Sequence, residues 1–164
     1  EKAESQEICF VPDDDYARFV EERFLGSIKP GPILNLQGEV MGHHQGIIHY
    51  TVGQRRGLRL AKGHPVYVVA LDPQRNAVII GDNHEVFSNH CMAVKLNWIA
   101  IEKLEQPMEV EAQIRYTAKP VKALISPVDH HIRVEFNEAV RAVTPGQAIV
   151  FYEGDMVVGG GTIN

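Results

Sequence analysis

Met92-Ala93-Val94-Lys95-Leu96-Asn97-Trp98 and Met108-Glu109-Val110-Glu111-Ala112-Gln113-Ile114-Arg115-Tyr116-Thr117 are the stretches whose reading decides the fold. In each, apolar residues recur at every second position: Met92, Val94, Leu96 and Trp98 against Ala93, Lys95 and Asn97, then Met108, Val110, Ala112, Ile114 and Tyr116 against polar neighbours. A period of two marks a strand with one face buried and the other wet. Ile132, Val134 and Phe136 repeat it around Arg133 and Glu135. Ala148-Ile149-Val150-Phe151-Tyr152 and Met156-Val157-Val158 flank a Glu153-Gly154-Asp155 turn and run into Gly159-Gly160-Gly161. Short strands with turn residues between them predict a small antiparallel β-barrel, which closes on itself and so exposes no sheet edge.

Upstream the pattern changes. Tyr16, Phe19, Val20 and Phe24 share one helical face, and Asp13, Asp14 and Asp15 are placed to cap its start, so one short helix is predicted there. Gly26 to Pro32 reads as a breaker-rich loop. Ile33-Leu34-Asn35-Leu36, Gln37-Gly38 and Glu39-Val40-Met41 read as a hairpin turning on its glycine. A second hairpin pairs Val66–Leu71 with Ala77–Ile80 around Asp72-Pro73-Gln74-Arg75-Asn76. The fold class is therefore mainly β (α+β), a small mixed central domain with one short helix followed by the barrel. Its expected organisation is a cysteine loop and helix over 1–24, a β-rich central domain over 25–88 and the barrel over 89–164, with the boundary near Phe87-Ser88-Asn89.

A chain of 164 residues, 45% hydrophobic and 23% charged, has a globular balance. Glu1 in place of an initiator Met predicts a piece of a longer protein. Charged residues, Pro or Gly interrupt every apolar run well short of the roughly 20 residues that span a bilayer, which predicts a soluble, cytoplasmic protein with no membrane partner. Two cysteines do not make the disulfide framework of a secreted domain. A net charge of -5 argues against non-specific nucleic-acid binding, which requires a basic surface, and leaves room for a local RNA-binding patch.

The chemistry-bearing residues are few. Cys9 stands just before the predicted helix, whose N-terminus favours a thiolate, while Glu4, Glu7 and the three aspartates oppose one; local chemistry alone favours a buried, inert thiol between Ile8 and Phe10. Cys91 opens a predicted strand and reads as packing. His43, His44 and His49, with His64 downstream, lack the spacing of a metal site, and no metal is expected. Gly53-Gln54-Arg55-Arg56-Gly57-Leu58-Arg59 is basic and glycine-punctuated; Arg55 and Arg56 are phosphate-contact candidates, with a solvated surface turn as the alternative. Arg115-Tyr116 and Thr144-Pro145-Gly146-Gln147 offer a fork donor, a stackable ring and an amide for RNA. Strand alternation puts Arg115 outward and Tyr116 on the core face, so a buried tyrosine is the rival reading.

Ser5-Gln6-Glu7-Ile8-Cys9-Phe10, Gly42-His43-His44-Gln45-Gly46, Tyr50-Thr51-Val52-Gly53-Gln54-Arg55-Arg56-Gly57-Leu58, Asn97-Trp98-Ile99, Ile114-Arg115-Tyr116, Ala142-Val143-Thr144-Pro145-Gly146-Gln147 and Gly159-Gly160-Gly161 follow one another in register. In this order and spacing the chain resembles, end to end, the central and carboxy-terminal parts of the tRNA-specific 2-thiouridylases. The resemblance implies that an ATP pyrophosphatase domain lies elsewhere in the full-length enzyme. That domain would bind ATP and Mg2+, adenylate the C2 oxygen of the wobble uridine and supply a second cysteine; no cofactor is expected in this piece. Cys9 then matches the cysteine that receives sulfane sulfur as a persulfide from a sulfur-relay protein or a cysteine desulfurase. A persulfide is more acidic and more nucleophilic than its parent thiol, so the acidic neighbours become tolerable. After transfer the thiol would pair with the second cysteine as a disulfide. Arg115, Tyr116 and Gln147 match positions that touch tRNA. Where the family commonly has Asp this chain has Glu4, and where it has a Gly or an acidic residue this chain has Glu7; the extra carboxylate bears on the loop's flexibility more than on the role of Cys9. No S-adenosylmethionine-binding glycine motif is present, so methyl transfer is not expected.

The expected function is thus the sulfur-carrying part of a tRNA-uridine 2-sulfurtransferase, inactive without its ATP-binding domain. The alternative is a non-catalytic tRNA-binding module, motivated by Arg55-Arg56-Arg59 and by Arg115, Lys119 and Lys122. A barrel serving protein contacts alone is a third class.

Overall fold

The computed structural model of the chain describes Arg18 and residues 28–60 and 63–164. The Cys9 motif lies outside the described residues, as does the 13–24 stretch apart from Arg18, which is helical. The chain divides into two compact units, Glu1–Gly81 and Asp82–Asn164. Among the described residues no helix is long and apolar enough to cross a membrane.

Both predicted hairpins form in the first unit. β1 (Gly31–Leu34) pairs antiparallel with β2 (Val40–His44), and β3 (Tyr67–Asp72) with β4 (Ala77–Gly81). A parallel pairing of β1 with β4, Ile33 opposite Val78, joins them into one sheet of order β2-β1-β4-β3. Gly38 turns the first hairpin at φ 83, a left-handed conformation that glycine adopts without a steric penalty. In the second turn the Asp72 carboxylate accepts the Arg75 backbone N–H at 3.0 Å and its Nε–H at 2.6 Å, and these bonds hold the carboxyl below its ordinary pKa.

Asn76 ties the two hairpins together. Its amide donates to the carbonyls of Lys29 and Pro30, both at 3.0 Å, and its own carbonyl accepts Nε2–H of the buried His44 at 2.9 Å. A carbonyl only accepts, so the His44 proton sits on Nε2, and Nδ1 is left buried without a hydrogen bond. Gly31 lies against this lock: a Cβ there would come 2.0 Å from the Asn76 oxygen. This contact corrects the reading of 26–32 as a loop, because β1 begins within it. Ile33, Val68, Val78 and Ile80 form the centre of the unit's core, with Leu58 and Val66.

The second unit is a closed antiparallel barrel of six strands, in the order β10-β5-β8-β7-β6-β9. These are β5 (Phe87–Trp98), β6 (Met108–Gln113), β7 (Val121–Val128), β8 (His131–Arg141), β9 (Ala148–Glu153) and β10 (Met156–Ile163). β7 carries little sequence signal, since Pro120 precedes it, Pro127 lies within it and only Ala123 and Ile125 are buried along its inner face. Side chains fill the interior, as a barrel of this size requires. Ile125, Val134, Ile149, Phe151 and Val158 are its largest fully buried side chains, and Trp98 stacks on Phe151 with ring centroids 6.1 Å apart.

The strict alternation read over 92–98 does not hold. Cys91 and Ala93 face the core in place of Met92 and Val94, whereas Leu96 and Trp98 pack inward as predicted. The phase changes at Lys95, which sits at φ 50 in a bulge: Val94 faces Thr162 and Asn97 faces Gly160, so two residues of β5 oppose the single Gly161. Cys91 accordingly lies within β5 and does not open it, and burial pushes its thiol up to about 11.

The three glycines of β10 make this packing possible. A Cβ would stand 2.6 Å from a Trp98 ring carbon at Gly159, 2.6 Å from the Ile149 carbonyl oxygen at Gly160 and 2.7 Å from the Val94 carbonyl oxygen at Gly161.

Gly160→Ala is expected to destabilise the barrel by about 1–3 kcal/mol, because the methyl meets a backbone atom that cannot turn away. Lys95→Gly is expected to be close to neutral, since relief of the left-handed strain offsets the added freedom of the unfolded chain, each about 1 kcal/mol. Urea unfolding followed by fluorescence of Trp98, the sole tryptophan, checks both. A second expectation follows from Cys91, whose thiol rises from an ordinary 9.0 to about 11 in the fold. The folded barrel keeps a proton that the unfolded chain releases, so stability falls as pH rises from about 9 to about 11. In Cys91→Ala that part of the decline disappears from the urea midpoints.

Candidate nucleic-acid interface

β6 ends at Gln113, four residues short of the predicted Thr117. Its pairing with β9 stops at Gln113 opposite Val150, and with β7 at Ala112 opposite Val121. Ile114 still points into the core, but the chain then leaves the sheet. The Ala118 N–H donates to the Arg115 carbonyl at 3.1 Å and closes a turn with Tyr116 and Thr117 at its corners. From the last position of β6, Gln113 Nε2 donates to the carbonyls of Tyr116 at 3.2 Å and Ala118 at 2.8 Å. Tyr116 is 75% exposed, which overturns the buried-tyrosine reading: alternation ceases to apply once the ladder ends.

Arg115 reaches across to the segment that follows β8. Its Nη2 donates to the Ala142 carbonyl at 2.7 Å, and its Nε lies 3.5 Å from Gln147 Oε1, at the outer limit of a hydrogen bond. Ala142 is 1% exposed and left-handed at φ 53, a conformation that costs a residue with a Cβ about 1–2 kcal/mol. It is over-determined by its neighbours. Its N–H donates to the Val86 carbonyl at 2.8 Å, and its carbonyl accepts the Thr144 hydroxyl at 2.9 Å as well as Arg115. Beside it, Arg141 donates to Asn83 Oδ1 at 2.7 Å and lies over the Phe87 ring. The Pro145-Gly146 turn is stitched to the end of β10, Gly146 N–H to the Ile163 carbonyl and Ile163 N–H to the Gln147 carbonyl, both at 2.8 Å.

The barrel thus brings Arg115 and Gln147 together from two loops, and the exposed Tyr116 follows Arg115 in the same turn. The guanidinium has five N–H donors, of which these bonds use two; the ring offers a stacking face, and the amide both donates and accepts. Single-stranded nucleotides are recognised by this combination of stacking and edge hydrogen bonds. Sequence reasoning missed Gln113 and Ala142. An alanine held left-handed leaves no trace in a sequence, and an outward glutamine on a strand looks like any solvated residue.

The other candidates fall elsewhere. Lys122 lines a groove of about 380 Å³ on the barrel wall with Glu109, Glu111 and Glu153. Arg55 and Arg56 belong to the first unit, exposed on an irregular loop. That loop is fixed to β3 by Gly53 N–H to the Val68 carbonyl at 2.8 Å and Val68 N–H to the Gln54 carbonyl at 2.9 Å, and Val52 and Leu58 anchor it in the interior. The Gln54 side chain braces it, accepting Thr51 N–H and donating to the Arg56 carbonyl, both at 2.9 Å. His44 is committed to its lock with Asn76, and among the described residues no three His, Cys, Asp or Glu side chains are grouped to hold a metal ion.

Comparison with known proteins covers both units. Residues 17–82 match the family profile described as the tRNA methyl transferase PRC-barrel domain, and residues 88–163 that of the aminomethyltransferase beta-barrel domain. The tRNA-specific 2-thiouridylase MnmA of Halothermothrix orenii is 54% identical over 99% of this chain and 46% of that protein. Its counterpart from Acetivibrio thermocellus is 55% identical over 99% of the chain and 45% of the protein, and that from Heliobacterium modesticaldum 55% over 99% and 43%. The chain therefore spans a little under half the length of these curated relatives. Identity at this level over 99% of the chain, with a profile match in each unit, means that the chain belongs to the tRNA-specific 2-thiouridylase family.

Proposed function

We propose that this chain is the sulfur-carrying and RNA-holding part of an enzyme that 2-thiolates the wobble uridine of tRNA. Family membership supports the reaction class. The observation that carries the RNA-holding part is the approach of Arg115 to Gln147, with the exposed Tyr116 next to Arg115 in sequence. Arg115 contacts phosphate or a base edge, Tyr116 stacks, and Gln147 hydrogen-bonds an exposed base. Arg55 and Arg56 add phosphate contacts from the first unit.

Cys9 is the sulfur carrier in this reading. A sulfur-relay protein or a cysteine desulfurase loads it as a persulfide. ATP and Mg2+ would be held by the rest of the full-length enzyme and would supply the activation of the C2 oxygen. The terminal sulfur of the Cys9 persulfide bonds to C2 as AMP leaves. A second thiol then cleaves the remaining S–S bond, leaving sulfur on C2 and a disulfide on the protein, so that atoms and electrons balance. The chain alone holds one half of this chemistry and catalyses no turnover. The setting is cytoplasmic, where a reducing pool returns the disulfide to thiols.

In the full-length enzyme, Cys9→Ser is expected to abolish 2-thiouridine formation while adenylation remains measurable; normal thiolation by that variant would refute the assignment. For the RNA contacts, binding of unmodified tRNA across a salt series is expected to weaken on Arg115→Ala, with the slope of log K against log salt falling by about 0.9 for the one phosphate contact removed. If this chain bound tRNA tightly and Cys9→Ser left thiolation intact, the non-catalytic module would be the better description.

A further inference from the structure

We propose that Thr144 is a positioning residue of the RNA platform, its hydroxyl setting the direction in which Arg115 presents its remaining N–H groups. The inference rests on the tRNA-binding role proposed for Arg115 and Gln147, and goes beyond it by assigning the side chain that ties both to one turn. Arg115 meets the protein through the guanidinium itself: Nη2–H donates to the Ala142 carbonyl at 2.7 Å, and Nε approaches Gln147 Oε1 at 3.5 Å. A rigid, planar group fixed at two of its nitrogens takes its orientation from the acceptors that hold it. The nearer acceptor belongs to a residue in a left-handed conformation, Ala142 at φ 53 and 1% exposed. The Ala142 N–H, bonded to the Val86 carbonyl at 2.8 Å, fixes the peptide plane before that residue. The plane after it carries the carbonyl, and there the Thr144 hydroxyl donates to the oxygen at 2.9 Å. A carbonyl oxygen has two lone pairs, so Thr144 and Arg115 share it without displacing one another. Thr144 holds Gln147 as well, since its own carbonyl accepts the Gln147 N–H at 3.3 Å. Between them stand Pro145 and the left-handed Gly146 at φ 88, the residues that a type II turn places at its two central positions. Thr144 is thus joined by its side chain to the carbonyl that orients Arg115 and by its backbone to Gln147. It acts through Arg115 and is not itself a contact to RNA.

The test uses the chain with an unmodified tRNA transcript and, separately, without RNA. Thr144→Val keeps the branched shape and removes the hydroxyl, whereas Thr144→Ser keeps the hydroxyl. Thr144→Val is expected to weaken binding about fivefold, Thr144→Ser less than about twofold, and Arg115→Ala about tenfold. Combined with Arg115→Ala, Thr144→Val should add no further loss, because the group it positions is gone. Without RNA, hydrogen exchange at the Arg115 Nε–H, followed by NMR, should accelerate in Thr144→Val and not in Thr144→Ser, while the amides of β6 and β9 stay protected in both. Additive losses in the double variant, equal losses in the two Thr144 variants, or unchanged Nε–H exchange in Thr144→Val would overturn the positioning role and leave the tRNA reading intact. An Arg115→Ala variant that binds as well as the parent chain would overturn both.

Discussion

Closure of the barrel depends on how near β10 runs to its two neighbours. At Gly159, Gly160 and Gly161 there is no space for a Cβ, because the Trp98 ring, the Ile149 carbonyl and the Val94 carbonyl already occupy it. The bulge at Lys95 belongs to the same constraint, since two residues of β5 must be accommodated against one glycine. Once β10 lies in place, its last residue fixes the Pro145-Gly146 turn and with it Gln147. The glycine run is thus the reason that two loops far apart in sequence converge at one end of β6.

Much of this was legible in the residues. Period-two alternation gave the half-buried strands, both hairpins of the first unit followed from their turn residues, and Gly38 and Asp72 act as their chemistry predicts. What could not be read was wherever a neighbour in space overrides the local pattern. Alternation cannot report a bulge, so Met92 and Val94 were assigned the face that Cys91 and Ala93 occupy. It cannot report where a ladder runs out of partners either, and the exposure of Tyr116 follows from the end of β6 at Gln113. The parallel contact of β1 with β4 joins segments some 45 residues apart, through a pairing no turn signal encodes.

The interface shows the same division. Arg115, Tyr116 and Gln147 were identified as residue types suited to RNA, and the resemblance to a family selected them over other arginines and tyrosines. The groups that hold them, Gln113 and the carbonyl of Ala142, carry no mark of their role. Cys9 is the converse case: its surroundings argue for an inert thiol, and only the register of the whole chain nominates it for the role proposed above.

The groove on the barrel wall has one further consequence. Glu109, Glu111 and Glu153 line it, and Glu111 stands on the same strand whose end delivers Arg115. Lys122 is the one ammonium set among these three carboxylates, so the groove carries an excess of negative charge that disfavours anions within about 8–10 Å at physiological salt and further in dilute buffer.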